Sequence, residues 1–404
     1  MSILFRVLAV FFGVFQALLF PLTGLLTVGH FNTAALDRVP ASHYREVSYT
    51  PVNPNATPEA RALMRWLWEK YGNFTISGQY VSPYQDYTRD RYRDEDGNLD
   101  VRLTNEMRAI YDLTGRRPAV IGLDFTGVEF PDQWEDWVTQ LAIQHHELGG
   151  IVTFCWHWLV PRDIYAPPEE RNRWNDYSTF NPDTNFDLRV ALADENHPGH
   201  AWLLHGITQV AQQLLVLQEA GVPVLWRPLH EAAGRWFWWG AFGREAYLEL
   251  YNLIFDRLTY VYGLNNLIWV WNAQHHRWYP GDDRVDILGD DPYALAHIGW
   301  LYVLDPARSI RFRYTRRASP NKMVAMTEND ALPNPDFMWQ QNTRWLMFVT
   351  WDRERLLLPD PDDQPWGHLP VFSGRYDCAR RKIRIYNDPR IITLDRTDWQ
   401  DALR

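Results

Sequence analysis

The sequence predicts an α/β fold, a (β/α)8 TIM barrel built as one domain over residues 40–404, with long loops over one mouth. Three observations carry that reading. The chain has 404 residues, 46% hydrophobic and 22% charged, enough to bury a large core without disulfides or metals. Eight short apolar runs alternate with amphipathic stretches, the pattern of parallel strands joined by crossover helices. Eight is also the number of strands that closes such a sheet on itself, and no internal repeat or strong linker divides the chain.

The elements follow in order. A Pro-rich patch (Pro40, Pro51, Pro54, Pro58) leads into a helical stretch around Ala60–Tyr71. The strand-like runs are Thr75–Tyr80, Ala119–Asp124, Gly150–Trp156, Val222–Leu229, Leu267–Trp271, Val285–Gly289, Met323–Thr327 and Leu346–Trp351. Helices are expected between several of them, at Leu103–Thr114, Gln133–Leu148, Ala201–Ala220 and Glu245–Tyr262. The runs are rich in Val, Ile, Leu, Met and Trp, as strands covered on both faces require. Tyr165–His197, rich in Pro, Asn and Asp, reads as a long loop over the mouth.

Residues 1–29 are unlike the rest. Arg6 precedes an uncharged run, VLAVFFGVFQALLFPLTGLLTV, that reads as a secretory signal peptide. The alternative is an N-terminal membrane anchor, because about 22 apolar residues suffice to span a bilayer. Either reading places the domain outside the cytoplasm, secreted or membrane-anchored.

Composition removes several function classes. A net charge of −10 without a long basic stretch argues against nucleic acid as a partner. Cys155 and Cys378 allow at most one bridge and no Cys-based zinc site. The adjacent pairs His145-His146 and His275-His276 do not point together, so neither metal nor another cofactor is expected. The chain carries 21 Trp, 20 Tyr and 19 Phe against three lysines, Lys70, Lys322 and Lys382. Many of these rings serve the core, but the surplus also suits sugar binding, since pyranose C–H faces pack on aromatic planes.

In a barrel of this type the active site lies at the C-terminal ends of the strands. The residues there are Gln79-Tyr80, Asp124, His157, His230-Glu231, Trp271-Asn272, Asp291 to Tyr293, Glu328 and Trp351. Strand alternation places Arg227, Leu229 and Glu231 on one face, and Val324, Met326 and Glu328 on another. With both faces inward, two carboxylates stand over the mouth on nearly opposite walls. Glycoside hydrolysis needs such a pair, one to protonate the leaving oxygen and one to attack the anomeric carbon or activate water. Arg227 would lie near Glu328 and favour its charged form. His157, between two indoles in WHW, reads as a ligand for a sugar hydroxyl. Cys155 shares its parity and should face the barrel interior.

The segment Arg227–Gly240, RPLHEAAGRWFWWG, closely resembles the acid/base motif of glycoside hydrolase family 26, whose best-known members are β-mannanases. ISGQY, IGLDF, VTFCWHW, DDPY, TEN and YNDPRIITLD resemble further segments of that family along most of the chain. The resemblance implies a retaining, endo-acting hydrolase of β-1,4-mannosidic bonds, with Glu231 as acid/base and Glu328 as nucleophile. It implies that His230 neighbours the −1 sugar, that Tyr293 hydrogen-bonds the nucleophile and that His157 lines the glycone side. Trp236 would be an aglycone stacking platform and Trp351 the floor under the −1 sugar, with Asp291 and Arg227 also on the substrate side. The substrate would be β-mannan or a related plant or microbial polysaccharide, and the enzyme a monomer. The same family holds β-1,3-xylanases and mixed-linkage β-glucanases with both glutamates, so those substrates stay open. A non-catalytic polysaccharide-binding barrel is the rival of another class, and the intact glutamate pair argues against it. The sequence departs from the family after the nucleophile, at Asn329-Asp330, and in the acidic segment PDPDDQP after Trp351.

Overall fold

Eight parallel strands close on themselves, each buried along its whole length. They are β1 (Thr75–Tyr80), β2 (Val120–Asp124), β3 (Ile151–Cys155), β4 (Val224–Arg227), β5 (Leu267–Trp271), β6 (Ile287–Asp290), β7 (Met323–Asn329) and β8 (Met347–Thr350). Each pairs with its sequence neighbour, and β1 pairs with β8 from Ile76↔Met347 to Gln79↔Thr350, which closes the barrel. A short ninth strand, Ile391–Ile392, from the expected closing segment, lies parallel to the start of β1. This computed structural model describes residues 38–81, 92–130, 136–171, 175–293, 304–351 and 379–403. The expected leader, Cys378 and PDPDDQP lie outside them. Among the described residues no helix is long and apolar enough to cross a membrane.

The helices form where local chemistry starts and stops them. Helix α1 (Pro58–Lys70) has Pro at its first position, and the Thr57 hydroxyl accepts from the Ala60 amide. Helix α2 (Asn105–Thr114) ends on Gly115 at φ 71°, a left-handed cap. Helices α3 (Trp137–Glu147) and α4 (Pro198–Glu219) follow β2 and β3, and α4 is capped by His197, whose Nδ1 accepts from the Gly199 amide. Helix α5 (Arg244–Asp256) continues into a π-helical turn, Arg257–Val261, rather than running on as one α-helix to Tyr262. Three helices absent from the sequence reading complete the ring: α6 (Leu304–Arg316), α7 (Pro335–Gln341) and α8 (Ala379–Tyr386). The inner faces of α6 and α8 are partly polar, with Arg308, Ser309, Thr315 and Lys382 buried beside Phe312 and Ile385. Helices α6 and α8 are rich in charged residues, so few apolar positions mark their inner faces.

Two glycines make room for the site. A Cβ at Gly122 on β2 would lie 2.6 Å from the Tyr80 ring, so glycine lets that ring cross the barrel toward β4. A Cβ at Gly289 on β6 would lie 2.8 Å from the Thr327 side chain and 3.2 Å from Asn272. The loop after β3 pairs Val160–Pro161 with Tyr177–Ser178 and then folds onto the loop leaving β4. There Asn181 donates its amide to the Trp236 carbonyl at 2.8 Å, and Trp238 donates to Thr179 at 3.0 Å.

Candidate active site

Glu328 sits near the end of β7, where a bulge re-aims the chain. Against β8, Met326 pairs with Phe348 but Asn329 pairs with Thr350, so β7 holds one extra residue between the two pairings. One carboxylate oxygen of Glu328 accepts from Nη2 of Arg227. The other accepts from the Tyr293 hydroxyl at 2.5 Å. Arg227 also donates from Nη1 to Asp291 at 3.0 Å and from Nη2 to the Tyr80 hydroxyl at 2.9 Å. Burial alone would discharge Arg227, but the carboxylates of Asp291 and Glu328 hold the guanidinium firmly charged. Burial lifts Glu328 to about 7, with the Asp291 charge adding to the rise and Arg227 and Tyr293 pulling against it.

Glu231 is held differently. Alternation does not bring it to the mouth, because β4 ends at Arg227 and the next residues leave the extended region. Leu229, Glu231 and Arg235 have φ of 54°, 55° and 62°, a left-handed path that non-glycine residues seldom take. The path is pinned where the Glu231 amide donates to the Asn272 carbonyl at 2.7 Å. Glu231 is half-buried and accepts one side-chain hydrogen bond, from Gln274 at 2.9 Å. Burial raises its carboxyl well above the usual range, and the charges of Asp291 and Glu328 add to the rise. One carboxylate oxygen from each of Glu231, Asp291 and Glu328 lies within 4.8 Å of the other two. The shared proton therefore belongs on Glu231, where no cation makes direct contact, rather than on Glu328.

The two histidines meet on the adjoining wall. His157 donates from Nδ1 to Asp124 at 2.5 Å, and its Nε2 lies 3.2 Å from Nε2 of His230. The Trp351 ring lies tilted 5.7 Å from His157 and 4.7 Å from Tyr80, closing the floor between β8 and β1. Phe237 packs edge-on to both histidines, at 5.5 Å and 5.2 Å. In the WFWW run, Trp238 and Trp239 are core residues, whereas Trp236 is only partly buried and its ring covers Gly234.

Glu231, Glu328, Tyr293, Arg227, Asp291, His157, His230 and Trp351 are thus one contiguous cluster, and Trp236 sits at its rim. Two expectations need correction. Arg227 and Asp291 belong to the substrate side in the sequence reading, but both side chains are fully buried beneath Glu328. Asp291 spends one oxygen on Arg227 and the other on Thr327, 2.7 Å away, so it braces β7 instead of meeting a ligand. His157 was read as a sugar ligand, yet both its ring nitrogens already face protein partners. Asn329 and Asp330 are also buried: Asn329 bonds Thr350 and Asp330 meets Arg308, so this departure from the family pattern is bracing on the outer side of β7. Sequence reasoning missed Gln274, which follows β5 at φ 63° and carries no periodic signal.

A family model, glycosyl hydrolase family 26, matches residues 52–355. A mannan endo-1,4-beta-mannosidase of Thermothelomyces thermophilus is 34% identical over 355 residues, which cover 87% of this chain. This chain spans 64% of that relative's length and 46% of a Piromyces mannan endo-1,4-beta-mannosidase A. Among solved structures, the Podospora anserina GH26-CBM35 beta-(1,4)-mannanase superposes with a TM-score of 0.68 at 32% identity, covering 88% of this chain and 70% of that one. A beta-mannanase from a symbiotic protist of the termite Reticulitermes speratus, solved with a gluco-manno-oligosaccharide, gives 0.68 at 27% identity, over 87% and 98% of the two chains. A closed eight-stranded barrel and a family model matched over three quarters of the sequence lead to one conclusion: this chain belongs to glycosyl hydrolase family 26.

Proposed function

We propose that this protein is a retaining endo-β-1,4-mannanase in which Glu231 is the acid/base and Glu328 the nucleophile. One observation carries the reading: two carboxylates face each other within 4.8 Å, one braced by a buried guanidinium and a phenol, the other desolvated without a direct cation. That asymmetry is what double displacement needs. Glu328, charged, attacks the anomeric carbon while Glu231, protonated, gives its proton to the leaving oxygen. Glu231, now a carboxylate, takes a proton from the water that breaks the glycosyl-enzyme ester. The close approach of their oxygens suits the narrow carboxyl spacing of retaining enzymes.

Tyr293 stays a neutral donor, because burial and the Glu328 charge both raise its phenol. Its hydrogen bond orients the attacking oxygen. Trp351 supplies an apolar floor for the sugar at the cleavage point, and Trp236, at the rim of the loop that carries Glu231, covers the leaving-group sugar. Mannan as substrate rests on the names of the relatives. The apolar leader would export the chain to where such a polymer is found. The test is a panel of mannan, galactomannan, β-1,3-xylan and barley glucan, with product sizing and NMR of the first-formed anomer. Internal cleavage of mannan to β-anomeric oligosaccharides is expected. Cleavage of xylan or glucan alone would replace the substrate, and α-anomeric first products would exclude retention.

A further inference from the structure

We propose that Asp124 is a positioning residue that acts through His157 to fix His230 as a hydrogen-bond donor toward the sugar, a role that rests on the activity proposed above. The geometry is a chain of three side chains from three strand ends. Asp124, at the end of β2, is almost fully buried and uses both oxygens locally. Oδ2 accepts from His157 Nδ1 at 2.5 Å, and Oδ1 accepts from the backbone amides of His157 and Thr126, each at 3.0 Å. His157 then meets His230 nitrogen to nitrogen at 3.2 Å. Two imidazole nitrogens at that distance share a single proton.

The position of that proton decides what His230 offers. His157 must keep a proton on Nδ1 to reach Asp124. If His157 is the imidazolium, its Nε2 donates, Nε2 of His230 is the bare acceptor, and the proton of His230 sits on Nδ1. If His157 is neutral, the polarity reverses and Nδ1 of His230 becomes an acceptor. Nδ1 of His230 is a buried polar atom without a partner, so it is the ring position left for a ligand.

The surrounding charges choose between the two states. Burial works against a charge on His157, but the Asp124 carboxylate outweighs it, Glu328 adds to the effect and Arg227 opposes it, so the imidazole titrates higher than usual. Cys155, on the same inner face, is buried and held in its neutral thiol form. His230 is pushed the other way, by burial first and then by His157 and Arg227, so it stays neutral. The positive charge therefore belongs on His157, and His230 presents Nδ1–H to a hydroxyl or ring oxygen. Deprotonating His157 at alkaline pH would reverse that polarity and weaken binding.

Two substitutions in the full chain separate this role from mere packing. In Asp124→Asn the side-chain oxygen stays with the two backbone amides, and the amide nitrogen faces Nδ1. His157 is then neutral with its proton on Nε2, so His230 remains a donor at every pH. The expected result is a KM for mannohexaose that no longer rises with pH. Asp124→Ala leaves His157 uncharged with no fixed tautomer, and KM should rise roughly tenfold with a smaller change in kcat. In ¹⁵N-histidine NMR of the free protein, with His157 assigned by its loss in His157→Gln, both nitrogens should be protonated at pH 6.5 and only Nε2 in Asp124→Asn. A neutral His157 at that pH in the unsubstituted protein overturns the proposal. So does a KM whose alkaline rise survives Asp124→Asn, or losses in both variants that track only the melting temperature. Should Asp124→Ala fail to fold, the Asn variant and the NMR decide alone. If mannohexaose is not cleaved while the imidazolium is present, the activity reading fails and the hold of Asp124 on the two rings stands.

Discussion

The two glutamates stand within 4.8 Å of each other but are built by opposite means. Glu328 belongs to a paired strand, with one oxygen on a buried guanidinium and the other on a phenol. Glu231 hangs from a loop with three left-handed residues and has one neutral side-chain donor. Under the proposed mechanism, rigid pairing suits a group that stays charged and attacks along one line. Desolvation with few partners suits a group that must hold a proton and then release it. The same burial raises both carboxyls, and the difference in partners decides which of them keeps the proton.

The largest effects come from deleting either member. Glu328→Ala should abolish activity on mannan and on activated aryl mannosides alike, by roughly 10⁵-fold or more, since no glycosyl-enzyme can form. A fluorosugar inactivator should label Glu328, and peptide mapping that finds the label elsewhere would overturn the assignment. Glu231→Ala should lose about 10²–10⁴-fold on mannan, the range of a general acid. It should lose far less in the first step on an aryl mannoside, whose leaving group needs no proton. Azide should restore its turnover. Equal losses on both substrates without an azide effect would erase the asymmetry.

Arg227→Lys breaks the comparison from below. A lysine keeps a positive charge but lacks the planar fork. Its shorter ammonium cannot serve Asp291, Tyr80 and Glu328 together, so Glu328 loses the direct contact that Arg227 makes. Arg227 pulls the Glu328 carboxyl down. Its loss should raise that group, and the acid limb of kcat/KM should move to higher pH by about one unit, with the alkaline limb less affected. Breaking a buried pair also costs about 3–5 kcal/mol of stability, seen as a lower Tm. A lower Tm with an unmoved acid limb would make Arg227 structural only.

How much of this was legible follows from where each residue sits. Glu328 could be read because MVAMTE is an apolar strand ending in a carboxylate, although the bulge that aims the side chain leaves no mark in the sequence. Glu231 could be read only as part of RPLHEAAGRWFWWG. The alternation argument for it fails, because the strand stops at Arg227 and the chain turns left-handed. Arg227 was placed beside Glu328, as it is found, but Asp291 and the second face of the guanidinium were assigned to the substrate, since sequence spacing does not say which strand-end groups spend their oxygens on one another. Asp124 was visible as a strand end, but the ring it holds comes from the next strand. Helices α6 and α8 escaped because LDPARSIRFRYTR and ARRKIRIY carry few apolar residues among many charged ones.

The smallest expected effect is also the sharpest test of the difference between the two carboxylates. Gln274 donates to Glu231 at 2.9 Å, and that hydrogen bond favours the charged form of its carboxyl. Gln274→Met keeps the length of the side chain but cannot donate. Glu231 should then hold its proton more tightly, and the alkaline limb of kcat/KM should move up. A neutral donor on a partly exposed carboxylate contributes about 0.5–1.5 kcal/mol, which corresponds to a shift of about one unit or less. The acid limb should stay in place, because Gln274 makes no bond to Glu328. Stability should change little as well, since the left-handed backbone at Gln274 is as strained with Met as with Gln. Measuring both limbs on this one variant separates the groups: a shift confined to the alkaline side assigns that limb to Glu231, and equal movement of both limbs would mean that the pair titrates as one unit.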